Sequence, residues 1–473
     1  MTVTDFISLA PLLIIAGAPI IMMLTIAFVR SHKVIWGFSV IAFIVALASL
    51  YFVSQVAPHD IKPLFIFDKT SLFFMGMIIG ASLIITLLSY DYLKFHMGEK
   101  EEYYIILFVS TLGALILTTA THFVSFFLGL ETLSVSLYIL IAYLKSRDNS
   151  IEAGVKYLVL AASSSAFLLF GMALIYTVTG TMNFKEIGAI LISSDPLSPM
   201  IYAGFGMMIV GLGFKLALVP FHMWIPDVYQ GAPVPVTAFI ATISKGGVMA
   251  LFLRFFFAIQ GGSNSIFISV LSILAILSMF TGNFLALQQL NLKRMLAYSS
   301  IAHLGYLMIT ILAGNILGLQ AAIFYLLAYF ITSLGAFSVI SLLSVCEQDA
   351  EQLDNFRGLF WKRPWLAVVM TLSMLSLAGI PLTAGFMSKF YLVFSGFKSN
   401  LILLVFCLVV NSVISLYYYL KVVTTMFSTA DDRNLPVVSF TGNIVLVVVV
   451  IGILWIGLIP GSLFHFITEF ASF

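Results

Sequence analysis

The sequence predicts an all-α polytopic membrane protein with about fourteen transmembrane helices. Three observations predict it. The 473-residue chain is 61% hydrophobic and only 9% charged, whereas a soluble domain is about 25% charged. Apolar runs of membrane-crossing length recur from residue 5 to residue 468, more than one buried core can use. The basic residues fall into alternate loops, as membrane insertion requires.

A helix needs about 20 apolar residues to cross a bilayer. Such runs are read at 5–29, 34–57, 70–93, 103–120, 122–144, 152–179, 198–228, 234–258, 265–289, 292–313, 316–346, 364–397, 400–428 and 439–468. Arg30 and Lys33 follow the first run, so it does not read as a cleavable signal peptide, whose basic residues would precede it. Lys94 and Lys100 follow the third span, Lys145 and Arg147 the fifth, and Lys293 and Arg294 the ninth. Arg357, Lys362 and Arg363 follow the eleventh, and Arg433 the thirteenth. These loops share one face, expected to be cytoplasmic. The other face has mainly Lys62, Lys69, Lys185 and Lys398. Both termini are therefore expected on the outer side. No soluble domain is visible, so residues 1–473 read as one transmembrane domain: helices 1–3 in 1–102, a first repeat in 103–258, a second in 265–428, and a last helix in 439–468.

The division into repeats comes from two spans that are too long. Residues 198–228 and 364–397 each carry a breaker near the middle, Pro220 in "LVPFH" and Pro381 in "LAGIPLTAGF". Proline removes a backbone donor and clashes with the preceding turn. At membrane depth a break survives only where protein or a water-filled cavity satisfies the freed groups. A packing kink is the plain explanation of one such break. Two breaks, five spans apart, are the fourth members of spans 4–8 and 9–13. Five is odd, so the second set starts from the opposite face. That order predicts two inverted five-helix repeats with discontinuous helices.

The charges inside the spans point to chemistry. A charge at the bilayer centre costs about 2.5–3.5 kcal/mol on insertion scales. Glu131 lies about halfway through span 5 and Lys245 halfway through span 8. Lys215 precedes the break in span 7, and Lys389 follows the break in span 12. Ion pairing that glues helices together would account for Glu131 and one lysine. It leaves two lysines without an acidic partner in the membrane. Such lysines shift toward neutrality, and groups that take and release protons near neutral pH can form a relay. Lys156 is shallower, and snorkelling to the surface explains it equally well. His303, in "YSSIAHLGYLM", fits either a helix–helix hydrogen bond or a relay member.

Several classes are disfavoured. A net charge of +2 gives no reason to expect nucleic acid. Cys346 and Cys407 suit neither a disulfide framework nor an iron–sulfur site, and no CxxC exists. The seven histidines are scattered, which disfavours haem.

The motifs "PFHMWIPDVYQGAPVPVTAF", "NLKRMLAYSSIAHLGYLM" and "GIPLTAGFMSKF" together resemble the antiporter-like membrane subunits of respiratory complex I, the proton-pumping NADH:quinone oxidoreductase. The resemblance covers roughly spans 4–13. Within that family, "GVKYLVLAASSSAFLLFG" and "DVYQGAPVPVTAF" favour the branch of bacterial subunit N, the counterpart of mitochondrial subunit 2. The chain ends at Phe473 without the long lateral helix expected of subunit L, and position 389 is lysine where subunit M is expected to carry glutamate.

The resemblance implies that Glu131 and Lys215 form a charged pair, that Lys245 is the central lysine, and that Lys389 is the terminal one. It implies that His222, Tyr298 and His303 sit near a hydrated axis, and that Lys156 bridges toward the central lysine. It further implies that this chain holds no cofactor, with NADH, FMN, iron–sulfur clusters and quinone in partner subunits. The implied partners are neighbouring antiporter-like and small hydrophobic subunits and membrane lipid. The implied location is a bacterial inner membrane. The rivals are a subunit of a multisubunit sodium/proton antiporter, the membrane subunit of a hydrogenase-type or formate-oxidising complex, and a lipid-facing structural spacer. The central charges weigh against the spacer.

Overall fold

The computed structural model describes residues 2–94, 100–193, 197–344, 349–429 and 438–471. Arg433 and Cys346 lie outside them. Spans 1–3 are α1 (Val3–Phe28), α2 (His32–Val56) and α3 (Lys69–Lys94). A two-stranded hairpin, β1 (His59–Ile61) and β2 (Phe65–Phe67), joins α2 to α3, with Asp60 opposite Ile66. The first repeat runs through α4 (Glu101–Thr119), α5 (Phe123–Ile141), α6 (Asp148–Thr179) and a short α7 (Phe184–Ser193). The broken span follows as α8 (Pro199–Leu216) and α9 (Ile225–Gly231). Span 8 is α10 (Val234–Phe239), a π-turn over Ile240–Ser244, and α11 (Lys245–Ala258).

The second repeat is α12 (Ser265–Leu287), α13 (Leu292–Ala313) and α14 (Ile316–Leu343), then a short α15 (Leu359–Lys362). Its broken span is α16 (Pro364–Ala378) with α17 (Ala384–Lys398), and α18 (Ile402–Phe427) closes it. The tail is α19 (Phe440–Leu458) and α20 (Pro460–Phe470). Among the described residues, 13 helices are long and apolar enough to cross a membrane. The α16–α17 pair supplies the fourteenth span. The fold class is the all-α polytopic one the sequence predicts.

Three features differ from expectation. The last span, read as 439–468, stops at Leu458, because Pro460 cannot continue the helix and opens α20 instead. The hairpin and α7 are too short for a reading built on membrane-length runs to register. The region 234–258 is not a uniform helix, since the π-turn inserts wider winding just before Lys245.

The loops gather into two ends. At one, which holds the clustered basic loops, Arg30 bonds Glu102 at 2.5 Å, and Asp91 at the end of α3 accepts from Thr441 at 2.8 Å. At the other, His59 bonds Asp5 at 2.7 Å, and Thr70 donates to the carbonyl of Phe470 at 2.8 Å. Both chain ends thus meet at the hairpin end. There Arg254 of α11 grips Asp68 through two hydrogen bonds of 2.7 and 2.9 Å, both side chains buried. Burial is deepest along 234–258, α13 and α14, while α1 and α2 show most of their surface outward.

A buried carboxylate organises the basic end. Asp349 accepts from the Tyr92 hydroxyl at 2.7 Å, Arg147 at 3.0 Å and Lys293 at 2.9 Å. Lys293 is 0% exposed and also donates to the carbonyls of Gln230 and Ala232 at 2.8 and 2.7 Å. It therefore caps the C-terminal carbonyls of α9. A lysine read from sequence as a loop charge is in fact a buried clamp between the two repeats. Burial pushes the Asp349 carboxyl up, but Lys293 and Arg147 more than offset this and hold it at about 2.

Removing the carboxylate leaves two cations without their shared partner, and breaking a buried pair costs about 3–5 kcal/mol. Asp349→Asn is expected to lower the thermal unfolding midpoint of the detergent-solubilised protein by several degrees at pH 7. Because the folded value lies below the ordinary 3.8, the carboxylate's contribution is present above pH 3.8 and is lost as pH falls toward about 2. Wild-type stability should therefore show no dependence on this group between pH 5 and 8, which a fluorescence melt across that range checks.

Candidate functional site

The first break places Lys215 in the last turn of α8, where the negative end of the helix dipole favours a cation. The helix stops at Ala217, whose φ of +56° is left-handed. The backbone groups freed by the break find partners inside the protein. Trp224 Nε1 donates to the carbonyl of Phe214 at 2.9 Å, and the amide of Val219 donates to Ser278 Oγ at 2.9 Å. Lys215 is 5% exposed. Its ammonium donates to Ser134 Oγ at 2.6 Å and sits 5.5 Å from the centre of the Tyr157 ring, a cation–π contact.

Glu131 lies one turn before Ser134 on α5 but does not touch Lys215. It accepts from Ser165 Oγ of α6 at 2.5 Å, and it acts on the ammonium through space. The expected pair is therefore electrostatic only, with each partner bonded to its own serine, Ser134 for Lys215 and Ser165 for Glu131. Glu131 is only half-buried, on the outward face made by α5 and α6.

The π-turn sets the second lysine. Such turns widen a helix locally and are frequent at functional sites. Lys245 follows it directly, is 1% exposed, donates to Ser300 Oγ at 2.7 Å, and lies 5.7 Å from the centre of the Tyr229 ring. His303, one turn beyond Ser300 on α13, has both ring nitrogens engaged. Nδ1 meets the Tyr325 hydroxyl at 2.6 Å and Nε2 the Tyr419 hydroxyl at 3.1 Å. Both Lys245 and Lys389 are near enough to act electrostatically on this ring.

The second break holds Lys389. Gly379, with φ +87°, ends α16, and Lys389 Nζ donates to the carbonyls of Leu377 and Ala378 at 3.0 and 2.9 Å. The ammonium thus caps the negative end of the half-helix, as discontinuous membrane helices allow. Gly385 starts α17 so close to α16 that an added Cβ would stand 1.7 Å from the Ser376 carbonyl oxygen. A cavity of about 10 Å³ lies between His303, Tyr325, Tyr329, Thr332, Ser376 and Lys389, about the space one water needs.

Lys245, His303 and Lys389 are therefore brought together, and Lys215 with Glu131 forms a separate group. Among the described residues, no hydrogen bond bridges the two groups, and no acidic side chain bonds Lys245, His303 or Lys389. His222 is buried in the first break, and its Nδ1 has no hydrogen-bond partner. Lys156 does not reach Lys245. It is 45% exposed and pairs with Glu152 at 2.7 Å and Asp227 at 2.9 Å, the latter shared with Arg294 at 2.8 Å. Tyr298 is half-buried, and among the described residues its hydroxyl has no hydrogen-bond partner; the neighbouring Ser299 and Ser300 have them instead. Sequence reading missed these serines with Tyr229, Tyr325 and Tyr419. The one available signal was spacing, since Ser299 and Ser300 stand four and three residues before His303, on its helix face. Among the described residues, no group of three His, Cys, Asp or Glu could hold a metal.

The family described as NADH:quinone oxidoreductase/Mrp antiporter, transmembrane, matches residues 120–415. A chain of the respiratory complex I from Thermus thermophilus with bound aureothin is 31% identical, with a TM-score of 0.83, over 96% of this chain and 98% of that one. A chain of the archaeal membrane-bound sulfane sulfur reductase is 24% identical, with a TM-score of 0.85, over 99% and 97%. A chain of the Mrp complex from Dietzia sp. is 20% identical, with a TM-score of 0.88, over 100% and 97%. The last two likenesses show the fold alone.

The close approach at the second break gives a test of the geometry. Gly385→Ala is expected to push α17 off α16 and destabilise the protein by about 3 kcal/mol, the upper end of what overpacking with backbone displacement typically costs. A large fall in detergent-extracted yield and melting midpoint is the expected result. Unchanged values would show that the two half-helices do not meet this closely.

Proposed function

The chain belongs to the NADH:quinone oxidoreductase/Mrp antiporter transmembrane family, and from that premise we propose that it is a proton-translocating membrane subunit of an NADH:quinone oxidoreductase, of the subunit N type. The observation that carries this reading is the set of three buried lysines held by hydroxyls, carbonyls and ring faces, with no carboxylate among the described residues bonded to any of them. An ammonium without a counter-charge in a low-dielectric site gives up its proton far more readily than a paired one. The 31% identity to a complex I chain supports this branch over the Mrp and sulfane sulfur reductase types. Those remain the alternatives, and all three place the chain among other membrane subunits.

In this mechanism redox chemistry in partner subunits changes the field at Glu131. Its carboxylate stands half-buried on an outward face at membrane depth, which is costly against lipid; a neighbouring subunit covering that face both removes the cost and delivers the signal. When the field of Glu131 weakens, Lys215 releases its proton. The proton passes to Lys245, then through Ser300 and His303 to Lys389, and leaves. His222 and Tyr298 flank this route, and Lys156 belongs to the charge cluster at the basic end. The basic end faces the cytoplasm of a bacterial plasma membrane and both termini face outward, on the distribution of Lys and Arg.

Substitution separates relay from glue. Lys215→Met and Lys245→Met remove a costly buried charge, so the complex should assemble while proton pumping falls about tenfold or more. Lys245→Arg keeps the charge but cannot deprotonate, and should fail likewise. Glu131→Gln should lower pumping by leaving Lys215 without its partner. Membrane potential formation in membranes of normal subunit content is the measurement. Wild-type pumping by both Lys215→Met and Lys245→Arg excludes the relay.

Orientation is checked separately. Single cysteines placed after residues 147, 294 and 363 should label from the cytoplasmic side only. Labelling of any two from outside reverses the assignment.

A further inference from the structure

We propose that Tyr419, steadied by Ser299, is a positioning residue that fixes the His303 ring so that Nδ1 is directed through Tyr325 to the cavity shared with Lys389. This rests on the proton-carrying reading and adds residues to it.

The two tyrosine contacts of His303 lead to different places. The Nδ1 arm is open. Tyr325 lines the small cavity together with Tyr329, Ser388 and Lys389. The Nε2 arm is the anchored one. Tyr419 shares its hydroxyl with Ser299 Oγ in a short hydrogen bond, and it also meets the Tyr418 hydroxyl, which donates to Asn283. That arm ties the ring to α18.

The hold is rigid because α18 is itself pinned. Tyr418 donates to Asn283 Oδ1 at 2.9 Å, and Asn283 Nδ2 donates to Asn411 Oδ1 at 3.1 Å and to the Tyr306 hydroxyl at 2.9 Å. These bonds lock α18 to α12 and α13, which fixes the Tyr419 hydroxyl relative to the His303 backbone. The groups facing the ring are Lys245 from α11, Lys389 from α17, Tyr306 on its own helix, Tyr325 and Tyr329 from α14, and Tyr419 from α18. Among the described residues, two cations and no carboxylate face it. An N–H bond of the Lys245 ammonium breaks and, by way of Ser300, a bond to that proton forms at His303 Nδ1; this bond breaks in turn as the proton passes, through Tyr325 and the cavity, to a neutral Lys389 Nζ. Nε2 keeps its bond to the Tyr419 hydroxyl throughout.

The test uses assembled complex in native membranes and three readouts: subunit content, protons moved per turnover, and the pH profile of pumping. His303→Gln keeps one donor and one acceptor for the two tyrosines but cannot take an extra proton. It should assemble normally and lose about tenfold or more of its pumping. Tyr419→Phe keeps the ring and removes only the hydroxyl; it should lower the protons moved per turnover and displace the pH profile. Ser299→Ala should act in the same direction more weakly. Wild-type pumping by His303→Gln overturns the proposal, and so does an unchanged rate and profile in Tyr419→Phe. If Tyr419→Phe does not assemble, Ser299→Ala decides, because it leaves the tyrosine packed. Lys389→Met is measured alongside. If it also pumps normally, the relay reading itself falls; if it fails while His303→Gln and Tyr419→Phe pump normally, only the positioning role falls.

Discussion

An ammonium group kept at membrane depth without a bonded carboxylate is the constraint to which the rest of the molecule answers. Three lysines meet it by different means. Lys215 uses a serine hydroxyl and an aromatic face, Lys245 a serine hydroxyl and a tyrosine face, and Lys389 two carbonyls at a helix end. Lys389 uses backbone that an unbroken helix cannot supply, and the other two lysines stand directly beside irregular backbone. The break after Lys215, the π-turn before Lys245 and the break before Lys389 all expose or redirect groups at the depth where the charge sits. The irregularities and the lysines are therefore one feature. A straight span carrying the same lysine would have to pair it, snorkel it or leave it neutral.

The charges at the two ends follow the opposite rule. Arg254 meets Asp68 through a bidentate contact, and Asp349 gathers Tyr92, Arg147 and Lys293. Asp68, Arg254, Asp349 and Lys293 are about as buried as the central lysines, yet each is paired with an opposite charge. A paired, hydrogen-bonded charge is fixed in its state over the physiological range and suits a clamp. A lysine bonded only to neutral acceptors is not fixed, and suits proton exchange. The clamps hold the helices whose central segments carry the exchangeable groups, since Lys293 caps α9, and α9 supplies the tyrosine ring beneath Lys245.

Much of this was legible in the sequence. Fourteen apolar runs, two overlong spans and four charges at their centres are visible as strings, because length and hydropathy are local properties. Pro220 and Pro381 mark the breaks for the same reason. The partners of those charges are not local. Ser134 lies 81 residues from Lys215, and Tyr419 lies 116 from His303; neither carries a mark distinguishing it from other hydroxyls in a membrane helix. Lys293 looked like an ordinary loop cation because its burial depends on Asp349, 56 residues away. Lys156 could be read either as snorkelling to the surface or, by the resemblance, as bridging toward Lys245; its exposed place on α6, paired with Glu152 and Asp227, fits the first. Tyr298 drew notice only through its motif position, while the smaller serines beside it make the contacts.

The repeat is a repeat of fold and not of chemistry. In the first broken span the lysine precedes the break; in the second it follows it. Because the second repeat runs the other way through the membrane, both lysine-bearing halves lead toward the hairpin end. Strict symmetry would have put one on each side. The surroundings differ as well: Lys215 has a carboxylate within electrostatic range, while Lys389 has only carbonyls and a ring. A relay between two equivalent sites would have no preferred sense. Under the proton-carrying reading, this inequality gives a sense. The site whose affinity can be changed from outside the chain, through Glu131, sits in one repeat, and the site with no adjustable partner sits in the other. Control enters where the charge pair is, and the remaining groups need only be close enough, and hydrated enough, to follow.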